Sequence, residues 1–148
     1  MNRSLKVEKS ITLHALPEKV WFALTDRDTV KKYFFGTEAI SDWKVGSELV
    51  FRGTYEGKSF EDKGHILAVE PGKYLKYDYW SAFSGIEDVP GNYSHVTYIL
   101  EDAGGKTNLI LSQVGFAGEE AKNHAEIGWD MVLKGLKELL EEGSDPVG

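Results

Sequence analysis

The chain opens with alternating apolar and polar residues and then changes to a helical pattern. Leu5–Leu13 alternates apolar side chains with charged or hydroxyl-bearing ones, which predicts a half-buried strand. The next segment predicts a helix, because Pro17 suits a first helical position and the apolar residues after it recur on one side. A second short helix is predicted to follow Asp26 and to end at Gly36, since glycine commonly terminates helices.

Short runs with a period of two continue from Trp43 to Val114 and are separated by turn residues, which predicts five further strands. Ser81–Asn92 is long for a hairpin loop. Because this loop carries Phe83 and Ile86, we expect it to fold over the apolar interior as a lid. The five predicted strands lie within ELVFRGTYEG, FEDKGHILAVE, KYLKYDYW, YSHVTYILED and KTNLILSQV.

The strongest helix signal is AEIGWDMVLKGLKELLEE, from Ala125 to Glu142. At about 100° per residue, its large apolar side chains fall within an arc of about 120°, which is typical of a core-facing helix. Gly128 and Gly135 lie at one edge of this stripe, beside His124 and Met131, although glycine costs about 1 kcal/mol relative to alanine in a helix interior. The two glycines either let another element pack closely or leave volume for a ligand.

The order of elements predicts a single α+β domain over residues 1–148: one strand, two short helices, five strands and a long helix, with an antiparallel sheet of six strands. Its core is expected at about 4–142, with 143–148 as a frayed tail.

Composition and charge reduce the number of function classes that fit the chain. The net charge of −7 disfavours a nucleic-acid-binding surface. The absence of cysteine removes disulfides and thiolate chemistry and fits the cytoplasm. No signal peptide or membrane-inserting segment is predicted.

Specific catalytic signals are weak. Gly53–Ser59 resembles a phosphate-binding loop but has three residues between its glycines where four are needed, and its flanks are strand-like, so a hairpin turn is predicted. Glu61 and Asp78 do not form a recognisable acid–base pair. No pattern predicts a metal ion or another cofactor. The four histidines are scattered: His14, His65, His95 and His124.

Aromatic residues make up 12% of the chain, and many lie on strand faces predicted to converge beneath the long helix. Buried tyrosine hydroxyls need partners, because an unpaired buried polar group costs about 1–3 kcal/mol. A cavity for a polar-decorated apolar ligand would explain them; the alternative is that the hydroxyls reach solvent at the rim. This aromatic set, with Gln113 as a polar member of an apolar row, is Phe51, Tyr55, Phe60, Tyr77, Tyr79, Tyr98 and Trp129.

Six segments, in this order, resemble a known family: ITLHALPEKVWFALTD, VKKYFFG, WKVGSELVF, GHILAVEPGKYLKYDYW, TNLILSQVGF and HAEIGWDMVLKGLKELLE. They resemble the START-like, or birch-pollen-allergen-like (SRPBCC), superfamily. Within it, the chain is most similar to homologues of the C-terminal domain of the heat-shock-protein-90 ATPase activator. It departs from the family pattern at Tyr33–Phe35, where a Trp usually precedes the Phe, and at Gly46, where the family has paired glycines.

The resemblance implies a helix-grip fold, in which a curved sheet wraps around the C-terminal helix and leaves a cavity often used for lipids, polyketides or flavonoids. The leading hypothesis is therefore a binder of an apolar or aromatic small molecule. Gln113 and His124 would orient its polar atoms. A polyketide-cyclase-type enzyme, with a His or Tyr moving protons, is the second hypothesis. A chaperone ATPase co-regulator ranks last, because a separate N-terminal domain is lacking. The predicted ligand-binding residues are Phe51, Tyr55, Phe60, Tyr77, Tyr79, Tyr98, Gln113, His124, Gly128 and Trp129.

Overall fold

A computed structural model describes residues 2–81 and 85–142 of the chain, with the side chains of residues 2, 3, 55 and 142 left out. Three α-helices and seven strands follow one another in these ranges. They are β1 (Asn2–Leu13), α1 (Pro17–Thr25), α2 (Arg27–Tyr33), β2 (Glu38–Ser41), β3 (Glu48–Tyr55), β4 (Lys58–Glu70), β5 (Tyr74–Tyr79), β6 (Ser94–Asp102), β7 (Thr107–Phe116) and α3 (Glu119–Glu142), with a short 3-10 helix (Pro90–Asn92) before β6.

The strands form one curved antiparallel sheet in the order β1-β7-β6-β5-β4-β3-β2, so the predicted α+β class is confirmed. The prediction of six strands is wrong, because the described residues form seven. The additional strand is β2, which lies at the edge of the sheet and pairs Ala39 with Phe51 of β3. Only Ala39 of its four residues is buried, so the segment is too short and too exposed to show a period of two.

The Gly53–Ser59 segment is a hairpin turn, as predicted, and not a phosphate-binding loop. Tyr55 of β3 pairs with Lys58 of β4 across a two-residue connection. Glu56 and Gly57 both have positive φ, 51° and 78°, which is the backbone that tight hairpins between twisted strands require. The hairpin places β3 and β4 side by side, and both strands contribute to the site described below.

The long helix α3 packs its apolar stripe against the sheet, with Trp129, Leu136 and Leu140 all buried. Its two glycines have different surroundings. A Cβ on Gly135 would lie 3.2 Å from the Cβ of Tyr33 in α2, whereas a Cβ on Gly128 would have no atom within 4 Å. Both expectations therefore hold, one at each position: Gly135 allows close packing of two helices, and Gly128 faces open space.

Candidate functional site

A cavity of about 700 Å³ lies between α3, the C-terminal end of α2 and the inner face of the sheet. Seven of the ten predicted binding residues line it: Phe51, Phe60, Tyr77, Tyr79, Gln113, Gly128 and Trp129. The other described lining residues are Phe34, Phe35, Thr37, Thr54, Asp62, Ser81, Val96, Ala125 and Val132. Gly128 contributes to the volume because it has no side chain to project into it.

The aromatic wall is held by ring-to-ring packing. Phe51 stacks on Phe34 with centroids 5.9 Å apart and meets Tyr79 nearly edge-on at 5.5 Å. Trp129 lies perpendicular to Phe34 at 5.8 Å and to Tyr98 at 6.1 Å. These separations and angles are the favoured ones for aromatic pairs. Phe34 was not among the predicted binding residues, because the sequence placed it within a second helix that was expected to run to Gly36, whereas α2 ends at Tyr33.

Gln113 fixes the orientation of Trp129. The indole Nε1–H of Trp129 donates to Gln113 Oε1 at 2.8 Å, and Gln113 Nε2 donates to Ser94 Oγ at 3.0 Å. The Ser94 hydroxyl in turn donates to the backbone carbonyl of Tyr79 at 3.4 Å. Both polar atoms of the amide are therefore engaged by the protein. Its evident task is to hold the Trp129 ring in the wall, and contact with a ligand stays a prediction.

Two buried tyrosine hydroxyls pair with each other. The hydroxyls of Tyr77 and Tyr98 are hydrogen-bonded at 3.3 Å, and among the described side chains no buried polar atom lacks a partner. Burial raises the pKa of Tyr98 to about 12 and that of Tyr77 well above its usual value, so both stay protonated at neutral pH. Tyr98 lies behind the wall, where it contacts Tyr77 and Trp129, rather than lining the cavity itself.

A carboxylate that the sequence analysis missed also lines the cavity. Asp62 of β4 is only 5% exposed, and the Tyr79 hydroxyl donates to its Oδ2 at 2.7 Å. Burial, together with the negative charge of Asp62, raises the pKa of Tyr79, while a hydrogen bond with Ser81 lowers it. The sequence pattern could have predicted this position, because Asp62 follows the exposed Glu61 and lies two residues after Phe60, on the same inward face of the strand.

The remaining predicted residues lie elsewhere or outside the described parts. His124 is exposed on α3 and is not among the described residues that line the cavity. The side chain of Tyr55 and all of Phe83 lie outside the described residues, so the predicted lid stays a prediction. Ile86 is half-buried, and its carbonyl accepts a hydrogen bond from Trp80 Nε1 at 3.2 Å.

Of the other residues that the sequence analysis weighed, His65 and Asp78 contact each other: the backbone N–H of His65 donates to Asp78 Oδ1 at 2.6 Å.

Phe35 marks the boundary between the cavity and a second, polar cleft of about 710 Å³ on the outer side. Its side chain is 58% exposed and its φ is 55°, a left-handed conformation that non-glycine residues seldom adopt. The outer cleft shares Phe35, Thr54 and Phe60 with the cavity but carries charged residues, including Arg52 and Glu61. An apolar interior therefore adjoins a hydrophilic exterior at this residue.

In the described parts of the chain, no group of three or more His, Cys, Asp or Glu side chains is arranged to hold a metal ion. None of the helices among the described residues is long and apolar enough to cross a membrane. What the site offers is an aromatic and apolar enclosure with one carboxylate, several hydroxyls and an amide.

This architecture agrees with a family model that matches residues 14–141, described as "Activator of Hsp90 ATPase homolog 1-like protein". The chain belongs to this family. No curated protein shows significant similarity to the chain.

Solved structures related to the chain share its fold. ChR145 from Cytophaga hutchinsonii is 37% identical, with a TM-score of 0.82 over 97% of this chain and 99% of that one. Protein MLL2253 from Mesorhizobium loti is 27% identical, with a TM-score of 0.73 over 93% and 97%. DynU16, from the dynemicin biosynthetic locus, is 20% identical, with a TM-score of 0.75 over 94% of this chain and 48% of that one. This last likeness shows the fold alone.

Proposed function

We propose that the protein binds an apolar or aromatic small molecule in the cavity between the sheet and α3. The observation that carries the proposal is the cavity of about 700 Å³ with its wall of aromatic rings. Small-molecule pockets in proteins usually measure about 300–1,000 Å³ and combine apolar walls with a few polar groups. Here the polar groups that line the cavity include Asp62, Tyr79 and Gln113.

The aromatic wall is preorganised for an apolar ligand. Phe51, Tyr79 and Trp129 are fixed by contacts with neighbouring rings or by hydrogen bonds, so ordering them costs little further entropy when a ligand binds. Such preorganisation favours affinity, because immobilising a flexible side chain costs about 0.5–1.5 kcal/mol on binding. Gly128 adds volume to the cavity, since its missing side chain leaves open space.

Filling that volume tests the proposal. Gly128→Leu would project a side chain into the cavity, whereas Ile127→Leu changes the neighbouring residue, whose side chain is 61% exposed. Isothermal titration with a panel of lipids and flavonoids should show binding by the native chain and by the Ile127 variant, and at least about tenfold weaker binding by the Gly128 variant. Equal affinity of all three proteins for a panel member would contradict binding in this cavity.

An enzyme of the polyketide-cyclase type is a second candidate, and the Asp62–Tyr79 pair is the observation in its favour. A buried carboxylate at the wall can accept a proton from a substrate, and the Tyr79 hydroxyl, which donates to Asp62 Oδ2 at 2.7 Å, holds that carboxylate in place. Asp62→Asn should then abolish turnover of a cyclisable substrate while binding survives. Binding without turnover by the native chain would count against the enzyme.

Family membership also keeps a chaperone partner among the candidates. Purified chaperone ATPase assayed with and without the chain tests this directly, and an unchanged rate would argue against it. A cytoplasmic location accords with all three candidate functions and with a chain that contains no cysteine.

A further inference from the structure

The described lining of the cavity carries negative charge and no positive charge. Among the described side chains that line the cavity, Asp62 is the sole carboxylate and none is Lys, Arg or His. The remaining polar lining groups are hydroxyls, one amide and the Trp129 indole N–H, which are neutral at physiological pH. A ligand in this cavity therefore meets one negative group and no positive one on the described walls.

Asp62 is held in a defined position at the wall. It is 5% exposed, and the Tyr79 hydroxyl fixes its Oδ2 at 2.7 Å. The Tyr79 ring packs nearly edge-on against Phe51 at 5.5 Å, and Phe51 packs against Tyr77 at 5.8 Å. Aromatic residues therefore adjoin the carboxylate, since Phe51 also pairs with Asp62 across β3 and β4, and its low exposure strengthens its interactions with charged ligands.

A carboxylate among aromatic rings has a definite chemical complement. An ammonium group attracts the carboxylate through charge-assisted hydrogen bonds, which are roughly twice as strong as neutral ones. The faces of neighbouring aromatic rings also attract cations, and more strongly where water is excluded. A ligand carboxylate would instead place two like charges together in a poorly hydrated space, which is costly.

We propose that the ligand is an organic cation, an aromatic or apolar molecule bearing an amine, whose ammonium group faces Asp62 while its apolar body fills the cavity toward Gly128. This inference rests on the proposed binding function and specifies its ligand class. It excludes free fatty acids and other carboxylates as preferred ligands. An alcohol of the same skeleton ranks between the two, because it donates a hydrogen bond to Asp62 without a charge.

Three probes with one skeleton separate these classes: naphthylmethylamine, naphthylmethanol and naphthoic acid. At about pH 7 the first is cationic, the second neutral and the third anionic. Calorimetric titration of the native protein should give an affinity for the amine at least about tenfold higher than for the acid, with the alcohol between them. In Asp62→Asn the amine-to-acid ratio should fall to within about threefold, since the amide keeps the shape and removes the charge.

The matched control is Glu61→Gln. Glu61 is adjacent in sequence, loses the same charge, and points to the opposite face of β4, where its side chain is 58% exposed and paired with Arg52. Its amine-to-acid ratio should equal that of the native chain. A ratio that falls equally in both variants would overturn the inference, because net charge alone would then explain the preference.

Nuclear magnetic resonance of the native chain tests the same inference without the Asp62 variant, which matters if that variant does not fold. In the amine complex, nuclear Overhauser contacts should connect the aminomethyl protons with the Tyr79 ring, and the naphthalene protons with Ala125 on the α3 side. The reverse orientation would overturn the inference. Equal affinities for the three probes would overturn the inferred preference for an amine but would still support small-molecule binding. Failure of all three probes to bind would count against both the preference and the binding function.

Discussion

The two glycines of α3 lead to opposite expectations for the same substitution. Gly128→Ala places a methyl group in open space, because no atom lies within 4 Å of the new Cβ. The substitution therefore gains helix propensity without a steric cost, and it should stabilise the protein by about 0.8–1 kcal/mol. In a chain of 148 residues, this corresponds to a rise in Tm of about 2–4 °C.

Gly135→Ala gains the same propensity but meets α2. Its Cβ would lie 3.2 Å from the Cβ of Tyr33 and 3.6 Å from that residue's Cα and carbonyl oxygen. These atoms belong to or adjoin the backbone, so rotation of a side chain cannot relieve the contact. The Tyr33 hydroxyl is also anchored, since it donates to the carbonyl of Ala23 at 2.6 Å. Overpacking of this kind costs about 1–3 kcal/mol, so the propensity gain should be cancelled or reversed.

Urea unfolding of the two variants beside the native chain measures the difference directly. We expect Gly128→Ala to have the higher free energy of unfolding, by at least about 1 kcal/mol over Gly135→Ala. The slope with denaturant should be equal in all three proteins, which shows that the unfolded states are comparable. Equal stabilisation by both substitutions, or greater stabilisation at Gly135, would refute the assignment of open space to one glycine and close packing to the other.

Three further predictions concern the sheet and its buried polar groups. Gln113→Leu removes the partner of the Trp129 indole N–H and should lower the free energy of unfolding by about 1–3 kcal/mol, measured by urea unfolding. The pKa of Tyr98 is raised to about 12 in the folded protein, against about 10 in the unfolded chain. The resulting stabilisation is complete below about pH 10 and is lost as the pH rises through the folded-state pKa. Unfolding curves of Tyr98→Phe should therefore show a smaller loss of stability than the native chain between about pH 10 and 12. Gly64→Ala should destabilise the protein by at least about 2 kcal/mol, because its Cβ would overlap the backbone carbonyl oxygen of Asp78.

A control and a contradicting result can be stated for each of these three predictions. Asn108→Leu, at a half-buried position of the same strand, should change stability far less than Gln113→Leu, and equal losses would contradict the assigned role of the amide. An unchanged alkaline profile in Tyr98→Phe would contradict burial as the cause of the raised pKa. Gly57→Ala tests the backbone at the hairpin, where nothing lies within 4 Å but φ is +78°; a loss at Gly57 greater than at Gly64 would contradict the close approach of β4 and β5.

The sequence predicted those elements whose apolar pattern persists over enough residues. The stripe of α3 contains several buried residues at helical spacing, and β6 and β7 alternate over all but their last residue, so their periods are unambiguous. Strand β2 has four residues and one buried side chain, and its identity depends on pairing with β3. Long-range pairing leaves no local signal in such a short segment.

The candidate site was predictable only where a residue follows the periodic face of its strand or helix. Phe51, Tyr77 and Tyr79 were found because they are in phase with the apolar rows. Asp62 was missed even though it has the same phase, because a carboxylate in an inward position is unusual and needs a partner that only the tertiary structure reveals. The different surroundings of Gly128 and Gly135 depend on where α2 crosses α3, which residue spacing along one helix cannot determine.

The central claim, that the cavity holds a small molecule, is tested most directly at the indole N–H of Trp129. Its resonance can be identified because Trp129→Phe removes one of the four tryptophan indole signals. Titration of the native chain with a bound lipid, flavonoid or aromatic amine should shift this resonance to saturation while those of Trp21 and Trp80, which do not line the cavity, stay in place. Saturable shifts at Trp21 or Trp80 with an unchanged Trp129 signal would contradict the claim.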